Sequence, residues 1–501
     1  MPYSRTLSRW MRYVMLALVS GTFACAHVRT GTSTPALNDT SPTLVPPEPD
    51  VANERQLDFS RYETPSECER AILNIRAKLE RDGTRDTLRY DPTADSIPAV
   101  AIEAGQACSA KFTVDNVAPE QLLYLMRVSL MINNDEQAQA AVDRQLSLTT
   151  DTAEQARVLF AATQAYLSAK PIRFEAAQAA LLHLDSFGSA GRIGRLQAHH
   201  AMIAYLMPLF DTTGLELHAD SLMAIIPTLT AKELDTWSPL IPAAYAARAS
   251  VATFQRSPVE AIPVIQQGAS TFGRLRGGQV RSTLQWVLQS YMAQARLYGK
   301  PATPLAGHYS YNSGDTTARP SPGKVSLLVQ VAHNCGDHCY RQYALLGRLY
   351  QQYASAGLEI TLVARTAGYS RNSGVQTPAE ETESIRKYFL EDRNLPTALV
   401  VQESQFTTQQ DGRRVNQATQ YDELYGAAMA VLIDRDGVIR WSGGIDGGVE
   451  AMLNAYITKL VAVPPQQTLR LMLQQQGAEQ GQSQQEQPQQ EQPQQEQPQQ
   501  E

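Results

Sequence analysis

The sequence of 501 residues predicts a multidomain protein, with an all-α helical array over residues 59–297 followed by an α/β domain over residues 298–463. Apolar residues recur at helical spacing through the first region, whereas the second contains short apolar runs typical of buried strands. The length exceeds that of a single ordinary core, and the apolar content of 43% is usual for folded protein. The formal charge is −7 and no basic stretch is present, which argues against a nucleic-acid partner.

The first 24 residues have the pattern of a signal peptide. Arg5, Arg9 and Arg12 precede the apolar run over residues 13–19, and small residues follow it. That run is too short to span a bilayer comfortably, although an uncleaved N-terminal anchor is the alternative. We therefore expect export from the cytoplasm.

Cys25 sharpens this expectation. The stretch over residues 21–25 (GTFAC) resembles the lipobox of bacterial lipoproteins, in which the cysteine becomes the lipidated first residue. The resemblance implies a lipid anchor at Cys25 and a place in the cell envelope, facing the periplasm. The alternative is ordinary cleavage after Ala24-Cys25-Ala26, which has the form of a signal-peptidase site.

Two segments lack the apolar residues that a core needs. Residues 25–58 are rich in Thr, Pro and Ser and are expected to form a flexible tether. Residues 464–501 become a repeat of Gln, Glu and Pro from Gln474 onward and are expected to be a disordered tail.

The helical region opens with Thr64-Pro65-Ser66-Glu67, a capping pattern with proline at the first helical position. Later helices are predicted from apolar residues at helical spacing, at 122–131, 138–148, 153–167, 174–184, 196–209 and 280–298. The Ala-, Leu- and Gln-rich pairs, such as the stretch starting at Asp135, resemble tetratricopeptide-type repeats without a clean period. The resemblance implies a surface for a protein partner; a purely structural spacer is the alternative.

His199 and His200 lie in one of these predicted helices. Adjacent residues on a helix point about 100° apart, so the two rings do not readily ligate one metal ion. We interpret them as surface or packing histidines.

Five cysteines are present, and setting Cys25 aside leaves two pairs. Export would place these pairs in an oxidising compartment, where such pairs can form disulfides. Cys68 and Cys108 fit a structural bridge between neighbouring helices, with two buried free thiols as the alternative. Cys335 and Cys339 are close in sequence and fit a redox site.

Within the α/β region, the apolar run over residues 323–331 predicts a buried strand. Asn334-Cys335-Gly336-Asp337-His338-Cys339 follows, then an amphipathic helix ended by Gly357 and a second strand over residues 358–364. This β-helix-β order predicts parallel strands in an α/β sheet.

These elements resemble the thioredoxin-like superfamily, and specifically envelope thiol–disulfide reductases of the TlpA type. The resemblance includes Gly299-Lys300-Pro301-Ala302, the hairpin pattern over residues 431–440, and a closing helix over residues 449–461. It implies that Cys335 and Cys339 are catalytic and form a redox disulfide. It also implies protein thiols or disulfides as substrates or redox partners, with no cofactor and no metal.

A helix N-terminus at Cys335 would lower the pKa of that thiol, and His333 or His338 could assist when protonated. Cys339, one helical turn on, would act as the second thiol. The sequence differs from the family motif in having three residues between the cysteines rather than two. It also has Ala428 where the family carries a cis-proline.

Two other functions remain open at this point. The three-residue spacing resembles the copper motif of Sco-type chaperones, although no histidine stands near Gly426, where those proteins have one. Alternatively, the thioredoxin-like domain is a non-catalytic scaffold, and the helical array of the same protein binds a protein partner.

Overall fold

The structure of the protein is a computed structural model. It describes residues 62–74, 99–169, 171–272, 279–312, 317–332, 337–366, 377–393, 395–403, 406–408, 414–416, 419–426, 429–445 and 449–463. The chain divides into two compact units, the first ending at Gln289 and the second starting at Ser290. The predicted signal peptide, the predicted tether and the predicted tail lie outside the described residues.

The first unit is all α. Its helices are α1 (residues 65–74), α2 (Ala99–Lys111), α3 (Leu122–Met131), α4 (Asp135–Ser147), α5 (Thr152–Ser168), α6 (Phe174–Asp185), α7 (Arg192–Leu209), α8 (Thr212–Ile225), α9 (Ala231–Trp237), α10 (Ile241–Gln255), α11 (Pro258–Phe272) and α12 (Gln279–Leu297), the last of which contains the division between the units.

Side-chain caps set where several of these helices begin. The side chain of Asn134 accepts a hydrogen bond from the backbone N–H of Gln137 at the start of α4. Asp151 and Asp211 cap α5 and α8 in the same way, and Thr230 forms a capping box at α9. Each cap satisfies a backbone donor that the helix itself leaves unpaired.

The helices pack mainly on their neighbours in sequence. α3 packs on α4, α5 on α6, α7 on α8 and α10 on α11, and two further contacts join α5 to α7 and α8 to α10. Alanines such as Ala138, Ala162 and Ala198 are fully buried between them, which allows close approach. The helices range from 7 to 19 residues. Within the described residues, no helix is both long and apolar enough to cross a bilayer.

The second unit contains a mixed α/β sheet. Its elements are β1 (Leu305–Ala306), β2 (Tyr309–Tyr311), β3 (Thr317–Ala318), β4 (Val325–Val331), α13 (Asp337–Tyr353), β5 (Leu358–Arg365), α14 (Pro378–Arg386), a π-helical turn (Lys387–Asp392), β6 (Ala398–Gln402), β7 (Phe406–Thr408), β8 (Arg414–Asn416), α15 (Gln420–Tyr425), β9 (Ala430–Ile433), β10 (Ile439–Gly443) and α16 (Glu450–Val461).

Six of these strands form one sheet in the order β10-β9-β4-β5-β6-β2. β4, β5 and β6 run parallel, whereas β9 is antiparallel to β4, β10 to β9 and β2 to β6. β4 is central and nearly every one of its residues is buried, as a strand covered on both faces requires. The predicted parallel pair and the predicted hairpin are both confirmed.

Two helices cover the centre of this sheet. α13 contacts β5, α16 contacts β4, and the two helices contact each other. Arg348 of α13 and Glu450 of α16 form a two-bond ion pair, with N–O distances of 2.8 and 2.7 Å. Gly357 has a φ of 97° where the chain turns from α13 into β5, a conformation that glycine adopts without strain.

Candidate functional site

The candidate site lies where β4 ends and α13 begins. β4 ends at Val331, Ala332 is the next described residue, and α13 starts at Asp337. Cys335 belongs to the connection between them and lies outside the described residues. Cys339 has helical backbone as the third residue of α13.

A buried tyrosine ties the two ends of this connection together. Tyr343 Oη of α13 donates a hydrogen bond to the Ala332 carbonyl oxygen over 2.9 Å. Its ring is 3% exposed and packs edge-on against Tyr388 and Phe389 of the π-helical turn. Since the ring cannot move without losing these contacts, the hydroxyl fixes the end of β4 relative to the first turns of α13.

A polar cluster lies beside this connection, at the carboxyl ends of the parallel strands. Gln330, the second-to-last residue of β4, donates from Nε2 to Asp422 Oδ1 over 3.0 Å. Arg365, the last residue of β5, donates from Nη1 to Asp422 Oδ2 over 3.2 Å. The cluster therefore joins two strands to α15, the helix that carries Asp422. In open α/β sheets, ligands bind outside the carboxyl ends of the strands.

Asp422 also caps its own helix. Its Oδ2 accepts from the backbone N–H and the hydroxyl of Thr419, each over 2.9 Å. Partial burial acts to raise the pKa of Asp422, but the bonds from Thr419 and Gln330, together with the Arg365 charge, outweigh it and lower that pKa. The carboxylate is thus held ionised at neutral pH.

α15 is also held at the end of β6. Gln402, the last residue of β6, accepts from the Tyr421 backbone N–H and donates from Nε2 to the Ala306 carbonyl. Tyr425 Oη donates to the Thr303 carbonyl over 2.9 Å. α15 consequently lies across the ends of β4, β5 and β6, on the edge from which the cysteine motif starts.

After α15 the chain turns at Gly426, where φ is 65°, and re-enters the sheet at β9. The Met429 carbonyl accepts from the Gln330 backbone N–H over 2.7 Å, so this end of the turn lies beside β4. Ala428, which the resemblance aligns with the cis-proline, lies outside the described residues, as do Cys25 and His333.

The first unit contains the other cysteine pair. The sulfurs of Cys68 and Cys108 form a disulfide between α1 and α2. Both residues are at most 1% exposed and pack with Ile72, Leu125 and Val128. The predicted bridge is therefore present in the structure.

The first unit also contains a buried pair of histidines. His199 is 4% exposed, in agreement with a packing role. Its Nδ1 lies 3.0 Å from Nδ1 of His218, a residue that the sequence analysis did not single out. Their helices, α7 and α8, are adjacent, and Asp185 lies 3.8 Å from Nε2 of His199. Within the described part of the chain, no group of three or more His, Cys, Asp or Glu side chains is arranged to hold a metal ion.

The strand order defines the class of the second unit. A β4-α13-β5 parallel pair, a β9-β10 hairpin antiparallel to β4 and a closing helix α16 constitute a thioredoxin-like α/β fold, with the cysteine motif directly after the central strand. The described residues of the first unit contain helices and no strand.

No protein-family model matches the chain, and no curated protein matches its sequence. Among solved structures, it is similar to a thioredoxin-like superfamily protein, with 18% identity and a TM-score of 0.25 over 33% of this chain and 99% of the other. It is also similar to a putative thiol:disulfide interchange protein DsbE from Chlorobium tepidum, with 18% identity and a TM-score of 0.23 over 33% of this chain and 97% of the other.

Proposed function

We propose that the protein carries out thiol–disulfide exchange through Cys335 and Cys339, as an exported thioredoxin-like protein of the TlpA type. One observation carries the proposal: the motif with both cysteines joins the end of the central strand β4 to the start of α13, and Cys339 is in the first turn of that helix. This is the position in which a helix N-terminus can act on the preceding thiol.

The chemistry follows from that position. Unpaired backbone N–H groups at the start of α13 favour the thiolate of Cys335 over the thiol. The thiolate attacks one sulfur of a substrate disulfide, forming a mixed disulfide and expelling the other substrate sulfur as a thiolate. Cys339, as thiolate, then attacks the Cys335 sulfur and releases the second substrate sulfur.

The electron balance requires a partner. Two electrons pass from the cysteine pair to the substrate, the two thiol protons end on the substrate thiols, and Cys335–Cys339 becomes a disulfide. A dithiol reductant must then restore the pair. With a dithiol substrate and a disulfide partner, the same steps run in reverse.

Reduction of insulin disulfides in the presence of dithiothreitol tests the proposal. We expect the full chain to accelerate the reaction, Cys335→Ser to abolish the acceleration, and Cys68→Ala/Cys108→Ala to retain it at a temperature where that variant is folded. A wild-type rate no higher than that of Cys335→Ser would refute the activity.

We further propose that Cys25 is lipidated and anchors the protein to a membrane of the cell envelope. The support is the sequence alone: the signal-peptide pattern and the small residue before Cys25. In a bacterial host, the wild type should fractionate with membranes and take up a labelled fatty acid, whereas Cys25→Ala should do neither. Identical fractionation and labelling of the two would contradict the anchor.

A further inference from the structure

The turn between α7 and α8, which we call the α7–α8 joint, is strained. Phe210 lies between the last residue of α7 and Asp211, the cap of α8, and has a φ of 51°. A bulky side chain rarely adopts this left-handed conformation, so the surrounding packing must hold it. Phe210 is 8% exposed, and its ring packs edge-on against Phe254 of α10 with the centroids 5.2 Å apart. A change in the angle between α7 and α8 would relieve this strain.

Each of the two helices has a second packing partner on its own side of the joint. α7 packs on α5, and α8 packs on α10, which contacts α7 to a smaller extent. Arg195 of α7 pairs with Asp185 of α6 over 2.6 Å. Arg248 of α10 pairs with Glu216 and Asp220 of α8 over 2.7 and 3.0 Å. Because these contacts lie on one side of the joint or the other, α7 and α8 can separate while their outer neighbours stay packed.

One ion pair acts against this separation. Arg192, the first residue of α7, donates from Nη2 to both carboxylate oxygens of Glu233 on α9, over 2.7 and 2.9 Å. The bonds from Arg192 and from Thr230 lower the pKa of Glu233 to about 2. The pair therefore stays charged between about pH 7.5 and about pH 5 and opposes separation equally at both values.

The buried histidine pair joins α7 to α8 and tolerates one added proton but not two. A hydrogen bond between Nδ1 of His199 and Nδ1 of His218, 3.0 Å apart, uses one hydrogen. A first added proton leaves this bond intact, because it goes to an outer Nε2 atom, and that of His199 lies 3.8 Å from Asp185 Oδ1. A second added proton gives every ring nitrogen a hydrogen. Two donors and two like charges then face each other with no acceptor between them.

The charges around the pair do not offset its burial. Burial is the largest cause that lowers the pKa of both rings, and Arg195 adds to it at His199. Asp185 and Asp211 act in the opposite direction without outweighing burial. Further charged groups on the helices packed around the pair are engaged with one another: Glu154 with Arg157 on α5, and Glu216 and Asp220 of α8 with Arg248 of α10.

We propose that the α7–α8 joint is an acid-sensitive switch, in which protonation of both His199 and His218 drives the two helices apart while the rest of the array stays folded. Separation exposes the rings to water, where their pKa returns to the usual value of about 6.5. Opening therefore takes up protons and becomes more favourable as the pH falls.

Hydrogen exchange of the full chain, followed by mass spectrometry and corrected for the intrinsic rate at each pH, gives the opening constant of each helix. We expect the constants of α7 and α8 to rise about 20-fold or more from about pH 7.5 to about pH 5, the factor that the lowered pKa of His199 alone implies. Low concentrations of urea should change these constants little, because a local opening exposes little surface. Exchange in α3 and α4 should depend strongly on urea.

Four variants identify the groups responsible. His199→Leu/His218→Leu removes the pair and should keep the rise within about threefold. His200→Leu removes a ring that points about 100° away from the pair on α7, so the rise should still be about 20-fold or more. Arg192→Gln should increase opening by the same factor at both pH values. If the double leucine variant does not fold, His218→Asn replaces it, because a neutral amide then faces Nδ1 of His199; its rise should be at least about threefold smaller than that of the wild type.

Three results would overturn the inference. The first is no rise in the opening constants of α7 and α8 in the wild type. The second is an equal rise in the wild type and in the variant that lacks the pair, which would show that other groups respond to acid. The third is one common opening constant with one urea dependence for α3, α4, α7 and α8, which would show that the array unfolds as a whole rather than at the joint.

Discussion

His199 Nδ1 and His218 Nδ1 lie 3.0 Å apart between α7 and α8, and each of the two residues is 4% exposed. At this distance one ring donates and the other accepts, so only one hydrogen occupies the space between them. Asp185 faces the pair, Arg195 lies close to His199, and Asp211 lies close to His218. Burial lowers the pKa of both rings, that of His199 to about 4 from the usual 6.5.

The helical unit should therefore lose stability in mild acid. Because the folded-state pKa of His199 is depressed, the unfolded state binds more protons between about pH 6.5 and about pH 4, and the free energy of unfolding falls as pH drops through that window. Between about pH 7.5 and about pH 5, only part of this window is crossed, and the expected contribution of His199 is about 2 kcal/mol. Urea unfolding at the two pH values, followed by far-UV circular dichroism, measures the change in the free energy of unfolding.

The matched variants are His199→Leu/His218→Leu, which removes both rings together, and His183→Leu, which removes an exposed histidine on α6. The first should reduce the pH dependence but not abolish it, because burial also lowers the pKa of His200 to about 4 and that ring remains. The second should leave the pH dependence unchanged. An equally steep dependence in the double leucine variant would show that other groups cause it.

Replacement by alanine should have opposite effects on the free energy of unfolding at Gly268 and at Gly347. A Cβ at Gly268 of α11 would lie 2.9 Å from the Tyr245 ring on α10, whereas one at Gly347 of α13 meets nothing within 4 Å. Gly268→Ala should lower the free energy of unfolding by about 1–3 kcal/mol through overpacking. Gly347→Ala should raise it by about 0.5–1 kcal/mol, since alanine is the better helix former. If both substitutions change the free energy of unfolding in the same direction in chemical denaturation, the packing described for one of the two glycines is contradicted.

The buried disulfide should stabilise the first unit. Cys68 and Cys108 are 40 residues apart, and closing a loop of that size in the unfolded chain is worth about 2–4 kcal/mol. Cys68→Ala/Cys108→Ala should lose about this much in denaturant unfolding under oxidising conditions. Cys335→Ser/Cys339→Ser keeps the buried disulfide and serves as the control, so the unfolding transition of the helical unit should be unchanged in it. If both double variants lose the same free energy of unfolding, the stabilisation does not come from the Cys68–Cys108 disulfide.

Tyr343→Phe removes the hydroxyl that binds the Ala332 carbonyl while retaining the ring against Phe389. The free energy of unfolding should fall by about 1 kcal/mol, which is the usual net contribution of one such hydrogen bond. After the substitution, the Ala332 carbonyl oxygen is left either buried or hydrated. Tyr350→Phe, on the same helix, serves as the reference. Thermal unfolding that is identical in the two variants would contradict the role of the hydroxyl at the candidate site.

Much of the fold was predictable where the pattern was long and unbroken. The strands β4 and β5 and the helices α3 and α6 begin and end within two residues of the predicted bounds. The helices α10 and α11 were not predicted, because Pro242, Pro258 and Pro263 interrupt the apolar pattern. Two of these prolines lie in the first turn of their helix, where no backbone donor is lost.

The polar contacts of the candidate site were beyond prediction from one sequence. Gln330 and Asp422 are 92 residues apart, and their hydrogen bond depends on α15 crossing the ends of three parallel strands. His199 and His218 are 19 residues apart on helices of which only one was predicted. In both cases tertiary packing, which local periodicity does not encode, brings the residues together.

The reduction potential of the Cys335–Cys339 pair tests the central claim most directly. Equilibration of the full chain with glutathione or dithiothreitol buffers, with alkylation of the free thiols and mass spectrometry of the peptide that contains both cysteines, gives that potential without assuming a substrate. An exchange-active pair should titrate between about −300 and about −120 mV. A pair that stays oxidised below about −300 mV would be a structural disulfide and would contradict the proposed activity.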